Sequence, residues 1–185
     1  DDSIGAGSVN IDIAGNADIS GNIQTINGGD LIVEAGQELE LETDQSEHPE
    51  EIDHAAEVVL KASGSLSLKA GTNLDLEDTV QVSSTGEGSG HKLSLSAADD
   101  ITMKADLEAV KEIDIQAGHD IYLQGKVEVT VTAKDGLIKI TAEDKELGHS
   151  TEGSINGQEH ASLLAEGDNG QVILSAGSDG GDLDL

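Results

Sequence analysis

The chain has 185 residues, enough for one ordinary domain or one elongated repeat array. Thirty-eight Asp and Glu stand against nine lysines and no arginine, a formal net charge of −29 that repels phosphate backbones and anionic headgroups, so nucleic acid and ordinary membranes are poor partners. The absence of Cys, Trp and Phe, with one Tyr and one Met, excludes a disulfide scaffold, a thiolate metal site and a core filled by aromatic rings.

A first, loose copy of a template appears at Ala14-Gly15-Asn16-Ala17-Asp18-Ile19. The template is clear at Leu31/Val33 and Leu39/Leu41, joined by Ala35-Gly36-Gln37-Glu38. Residues 44–57 interrupt it with the lone proline, Pro49, which suits the first turn of a short helix. The pairs resume at Val58/Leu60, Leu66/Leu68 and Leu74/Leu76, with Ala70-Gly71-Thr72-Asn73 before the last. A Gly- and Ser-rich stretch at 84–91 reads as a flexible loop. Leu93/Leu95 and Ile101/Met103 follow, around Ala97-Ala98-Asp99-Asp100. In Lys104 to Glu112, Leu107 and Val110 lie three apart as in a short helix, yet irregular coil is the preferred reading. Ile113/Ile115 and Ile121/Leu123 flank Ala117-Gly118-His119-Asp120. Polar residues 143–161 form a longer excursion, and a last loose copy runs from Ala176 to Leu185.

Alternation by two within each pair puts both side chains on one face of a β-strand. Ser67, Lys69, Asp75, Ser94, Thr102, Asp114 and Gln116 then point outward; Ile32, Val59 and Tyr122 are apolar exceptions that a loop or partner covers. Gly36, Gly71 and Gly118 mark corners, where glycine tolerates φ > 0 and neighbouring Asp and Asn form ladders onto exposed backbone groups. The expected fold is therefore all-β, an elongated β-solenoid or triangular β-prism. Residues 1–185 read as one repetitive rod with excursions at 44–57, 84–91 and 143–161. Leu66, Leu68, Leu74, Leu76, Leu93, Leu95, Ile113, Ile115, Ile121 and Leu123 line its axis.

Chemistry is thinly represented. Solenoid enzymes that cleave acidic polysaccharides need cations for the uronate, and this chain has no arginine and a repelling surface. Pairs such as Asp99/Asp100 suit glycosidase acid–base work, but with so many acids adjacent pairs arise by chance, and an enzyme is not expected. His48, Glu51 and His54 are the closest approach to a metal site, but a solvated acidic loop is the preferred reading of them. His119 replaces Thr or Gln of other corners and reads as a surface residue. No cofactor is expected beyond weak, diffuse binding of calcium or other divalent cations.

The octad of alternating aliphatics over Leu66–Val82, Leu93–Met103 and Ile113–Ala142 resembles the β-prism needle of valine–glycine-repeat spikes in type VI secretion and of phage central tail spikes. Gly29-Asp30-Leu31 and the Ala-Gly-x-Asp-Ile units are similar to filamentous-haemagglutinin-type solenoids. The usual Val-x-Gly spacing is replaced by Leu-x-Leu-x-Ala-Gly. The first resemblance implies an intertwined homotrimer forming the shaft of a phage tail or contractile injection machine, in contact with other parts of that machine. The second implies an extracellular filament or adhesin stalk, stacked end to end. Localisation follows as virion tail or extracellular. With roughly fifteen strands, a single-chain coil stands roughly 25 Å high and an intertwined trimer roughly 70 Å. Beginning at Asp1, the chain reads as a processed protein or a piece of a longer one, and the strand pattern Gly180-Gly181-Asp182-Leu183-Asp184-Leu185 suggests a rod that continues.

Overall fold

A computed structural model describes residues 7–43, 58–88, 90–125, 127–132, 135–142, 153–157, 161–166, 169–177 and 181–184. Within them the fold is all-β, without a helix, and the chain winds through successive coils of three short strands. The first coil holds β1 (Val9–Ile13), β2 (Ala17–Ile19) and β3 (Ile23–Gln24), the second β4 (Leu31–Ala35), β5 (Leu39–Leu41) and β6 (Val58–Ala62). Next come β7 (Leu66–Ala70), β8 (Leu74–Leu76) and β9 (Val80–Ser84), then β10 (Leu93–Ala97), β11 (Ile101–Met103) and β12 (Asp106–Ala109). The fifth coil is β13 (Glu112–Ala117), β14 (Ile121–Leu123) and β15 (Glu128–Val131). The sixth is β16 (Leu137–Ala142), β17 (Ile155–Gly157) and β18 (Ser162–Ala165), and β19 (Gln171–Ser175) and β20 (Leu183–Asp184) begin a seventh.

First strands of the coils stack into a seven-stranded sheet A, second strands into a seven-stranded sheet B, and third strands into a six-stranded sheet C. Every pairing is parallel. This is a β-solenoid in which one chain supplies all three faces. At ~4.8 Å per strand, the seven strands of sheet A span roughly 29 Å.

The register gives the octad its meaning. Leu66 pairs with Leu31 on one side and Leu93 on the other, not with Leu74. The eight-residue step therefore carries the chain around a corner, from sheet A to sheet B or, between Val58 and Leu66, from sheet C to sheet A. Stacking uses a longer step: 22 residues between Ser8 and Asp30, 20 between Asp100 and Asp120.

Alternation does the sorting. Each of Leu66, Leu68, Leu74, Leu93, Leu95, Ile113, Ile115, Ile121 and Leu123 is fully buried, and Leu76 is all but so. Leu, Ile and Val of similar size stack above one another, which fills a narrow axis without aromatics. Outward positions are mostly polar; Ile32, Val59 and Tyr122 are half-buried on the outer walls. Asp114, expected to face water, lies on the outer wall of sheet A but is only 7% exposed, held by Lys92 Nζ at 3.4 Å and Gln116 Nε2 at 3.0 Å.

Three expectations are corrected. Residues 106–109 are neither coil nor helix but strand β12, with Leu107 and Ala109 inward; alanine is too small to register as the second member of an apolar pair. The excursion at 143–161 contains β17, whose Ile155 is buried against Ile121, while 143–152 and 158–160 lie outside the described residues. The described residues of the loop expected at 84–91 lie outside strands except for Ser84, which ends β9. Finally, the corner glycines do not adopt positive φ, which occurs instead at Asn27, Gly28, Gly90 and Gly125. Gly36, Gly71 and Gly118 are needed because a Cβ there would meet the carbonyl oxygens of Ala14, Gly36 and Ala98 in the coil below. The excursion at 44–57 falls outside the described residues.

Candidate functional site

The richest polar constellation lies at the corner between sheets A and B, where each coil places one residue immediately before its sheet B strand. Those residues include Asn73, Asp100, Asp120, Ser154 and Asp182. Parallel stacking puts each side chain beside the backbone N–H of the next coil. Asn73 Oδ1 accepts from Asp100 N–H at 3.3 Å, and Asp100 Oδ1 from Asp120 N–H at 2.9 Å. Asp120 Oδ1 accepts from Ser154 N–H at 2.7 Å, and Ser154 Oγ from Asp182 N–H at 3.2 Å. A shorter ladder runs up the corner before sheet A: Ser8 Oγ accepts from Asp30 N–H at 3.1 Å and Asp30 Oδ1 from Ser65 N–H at 2.6 Å. These are the ladders that the recurrence of Asp and Asn at corners predicts, and they satisfy backbone groups that a turn leaves without a strand partner.

His119 adds a titratable group. Its Nδ1 lies 3.0 Å from Asp100 Oδ1 and 3.3 Å from Asp120 Oδ2, so a protonated imidazole bridges carboxylates of two coils. Tyr122 donates its hydroxyl to Asp120 Oδ2 at 2.9 Å. That bond, together with burial and the Asp120 charge, pushes the Tyr122 hydroxyl up to about 12. The donor atoms of Asp100, His119 and Asp120 lie within 4.8 Å of one another and could take a divalent cation. An imidazole nitrogen in the set matches a transition ion better than calcium, which prefers oxygen throughout. Both carboxylates also accept from neighbouring groups, Asp100 from the Asp120 N–H and Asp120 from the Ser154 N–H and the Tyr122 hydroxyl.

A concavity of about 530 Å³ lies elsewhere, on the outer wall of sheet C, where Val59, Lys61, Gln81, Asp106, Glu108, Glu128 and Thr130 line it. It does not include the Asp100–His119–Asp120 group, so pocket and titratable cluster do not combine. Of the metal candidates from the sequence, His48, Glu51 and His54 lie outside the described residues. The octad alone does not reveal the Asp100–His119–Asp120 group, because it does not say which residues stack one coil apart. Aligning Asp99-Asp100-Ile101 with His119-Asp120-Ile121, which the repeat template permits, places them one coil apart.

No helix among the described residues is long and apolar enough to cross a membrane. The class that strand order and core define is a single-chain, three-faced β-solenoid. Comparison with family models, with curated proteins and with solved structures finds no match to this chain.

Proposed function

We propose that this chain is a structural protein, a stiff shaft segment whose work is done by shape rather than by chemistry. One observation carries this reading: aliphatic side chains stack through the described coils as one continuous core, jacketed by hydrogen-bonded polar and acidic walls. Each coil is clamped to the next by parallel strand pairing on three sides, so bending the rod strains all three sheets together. The dense negative charge keeps such rods from clumping sideways.

Two settings suit such a shaft. The spike of a phage tail or contractile injection machine requires a homotrimer and contacts with other parts of the machine. The extracellular filament or adhesin stalk requires only a single-chain coil that stacks end to end, and the strand order favours it, because all three strands of a coil come from one chain. Gold-labelled antibody against the chain tests the function. Label along a surface appendage or a virion tail is the expected result, and label confined to the cell interior would count against both settings.

A further inference from the structure

One corner of the solenoid differs in chemistry from the others. Among the described residues that immediately precede sheet B strands, only Asp100 and Asp120 are carboxylates on consecutive coils, flanked along the ladder by neutral Asn73 and Ser154. His119 stands one position earlier, where the neighbouring coils carry Asp99 and Gly153. Two carboxylates beside a neutral imidazole hold two negative charges, which a single divalent cation cancels.

The spacing suits an ion. His119 Nδ1 lies 3.0 Å from Asp100 Oδ1 and 3.3 Å from Asp120 Oδ2. Ligands held at about 2.0–2.1 Å around a tetrahedral ion stand about 3.3–3.4 Å apart, so two of three edges are nearly in place. The remaining donors lie within 4.8 Å, a gap that rotation of the part-exposed Asp100 carboxylate closes. Surrounding groups orient the ligands. Asp120 N–H donates to Asp100 Oδ1 at 2.9 Å, Ser154 N–H to Asp120 Oδ1 at 2.7 Å, and the Tyr122 hydroxyl to Asp120 Oδ2 at 2.9 Å. The His119 side chain is 50% exposed, so an ion enters from solvent.

We propose that Asp100, His119 and Asp120 bind one divalent transition ion of the zinc type, which braces the fourth coil to the fifth. The imidazole keeps its proton on Nε2 and gives the Nδ1 lone pair, each aspartate gives one oxygen, and water completes a four-coordinate shell. Calcium and magnesium are disfavoured, because both build their shells from oxygen. Asp100 belongs to one coil and His119 and Asp120 to the next, so the ion ties the stack at the corner between sheets A and B. The site follows from the coil register and does not depend on what the rod is for.

The chain supplies its own reporter, because Tyr122 is the single tyrosine and tryptophan is absent. The full chain, stripped with chelator, is titrated with Co2+ in excess Ca2+ and Mg2+, which occupy the diffuse acidic surface. The expected result is quenching of Tyr122 emission that saturates at one equivalent and is reversed by competing Zn2+. Zn2+ also raises the melting temperature of the parent, since it binds the folded corner and not the unfolded chain. His119→Gln, which adds no charge, loses both effects, and Asp100→Asn weakens binding by about tenfold or more. Quenching that persists unchanged in a folded His119→Gln variant, or that is lost in His48→Gln/His54→Gln instead, would overturn the inference. So would the lack of saturable binding above the Ca2+ and Mg2+ background. If a variant loses its β-sheet circular dichroism the parent alone decides: Co2+ bound without a change in Tyr122 emission lies elsewhere, and the assignment fails.

Discussion

Gly71 and Gly118 sit where the backbone of one coil passes closest to the carbonyl of the coil below, so their missing Cβ is a packing requirement rather than a conformational one. Gly118→Ala and Gly71→Ala are each expected to cost about 1–3 kcal/mol, as overpacking does, because the obstacle is backbone and cannot rotate away. Gly15→Ala, where a Cβ meets nothing within 4 Å, changes the urea midpoint little. Equal losses at all three positions would contradict this account. Tyr122 makes a second residue-scale prediction. The folded hydroxyl ionises near 12 against an ordinary 10.0, so its bond to Asp120 stabilises the fold fully below pH 10 and is lost as pH rises through 12. Tyr122→Phe should lower stability by about 1 kcal/mol at neutral pH. The native tyrosinate absorbance should titrate well above that of the unfolded chain; coincident titrations would rule out the bond. The repeat template made the glycine positions legible, but not their cause, since only the stacked register reveals which carbonyl lies beneath each one.

On the outer wall of sheet B, like charges stack: Asp18, Glu40 and Asp75 occupy consecutive coils in register. Burial, then the charges of Glu42, Asp18, Glu38 and Asp75, raise the Glu40 carboxyl above its ordinary 4.5. A raised carboxyl means the folded state binds the extra proton. Stability therefore falls as pH rises through the window just above 4.5 and recovers below it. Glu40→Gln is expected to raise the melting temperature at pH 7, with the gain shrinking toward pH 4; a variant no more stable at pH 7 would contradict the ladder. Strands with two large aliphatics, such as β4, β7, β10 and β13, were legible from alternation alone. Those pairing a large residue with alanine or glycine, β12 and β17, were not, because a short side chain carries too little hydrophobic signal to show a period of two.

For the whole molecule, the spacing of eight was visible in the sequence, but its direction was not. The same spacing suits strands piled along an axis and strands laid around a corner, and composition does not choose between them. Twenty strands among the described residues replace the roughly fifteen expected. The third face accounts for much of the difference, with Val80/Val82, Leu107/Ala109 and Val129/Val131 following their predecessors at uneven spacing. The chain has no cysteine, which makes paired cysteines a clean reporter of that direction. Ser67 and Ser94 are in-register neighbours on the outer wall of sheet A, within disulfide reach at a strand spacing of ~4.8 Å, while Ser67 and Asp75 lie on different faces. Oxidation of Ser67→Cys/Ser94→Cys at low concentration is predicted to give a cross-link within one 19.0 kDa chain, and Ser67→Cys/Asp75→Cys none. Cross-links joining separate chains, or a bond formed by the second pair and not the first, would contradict the single-chain coil.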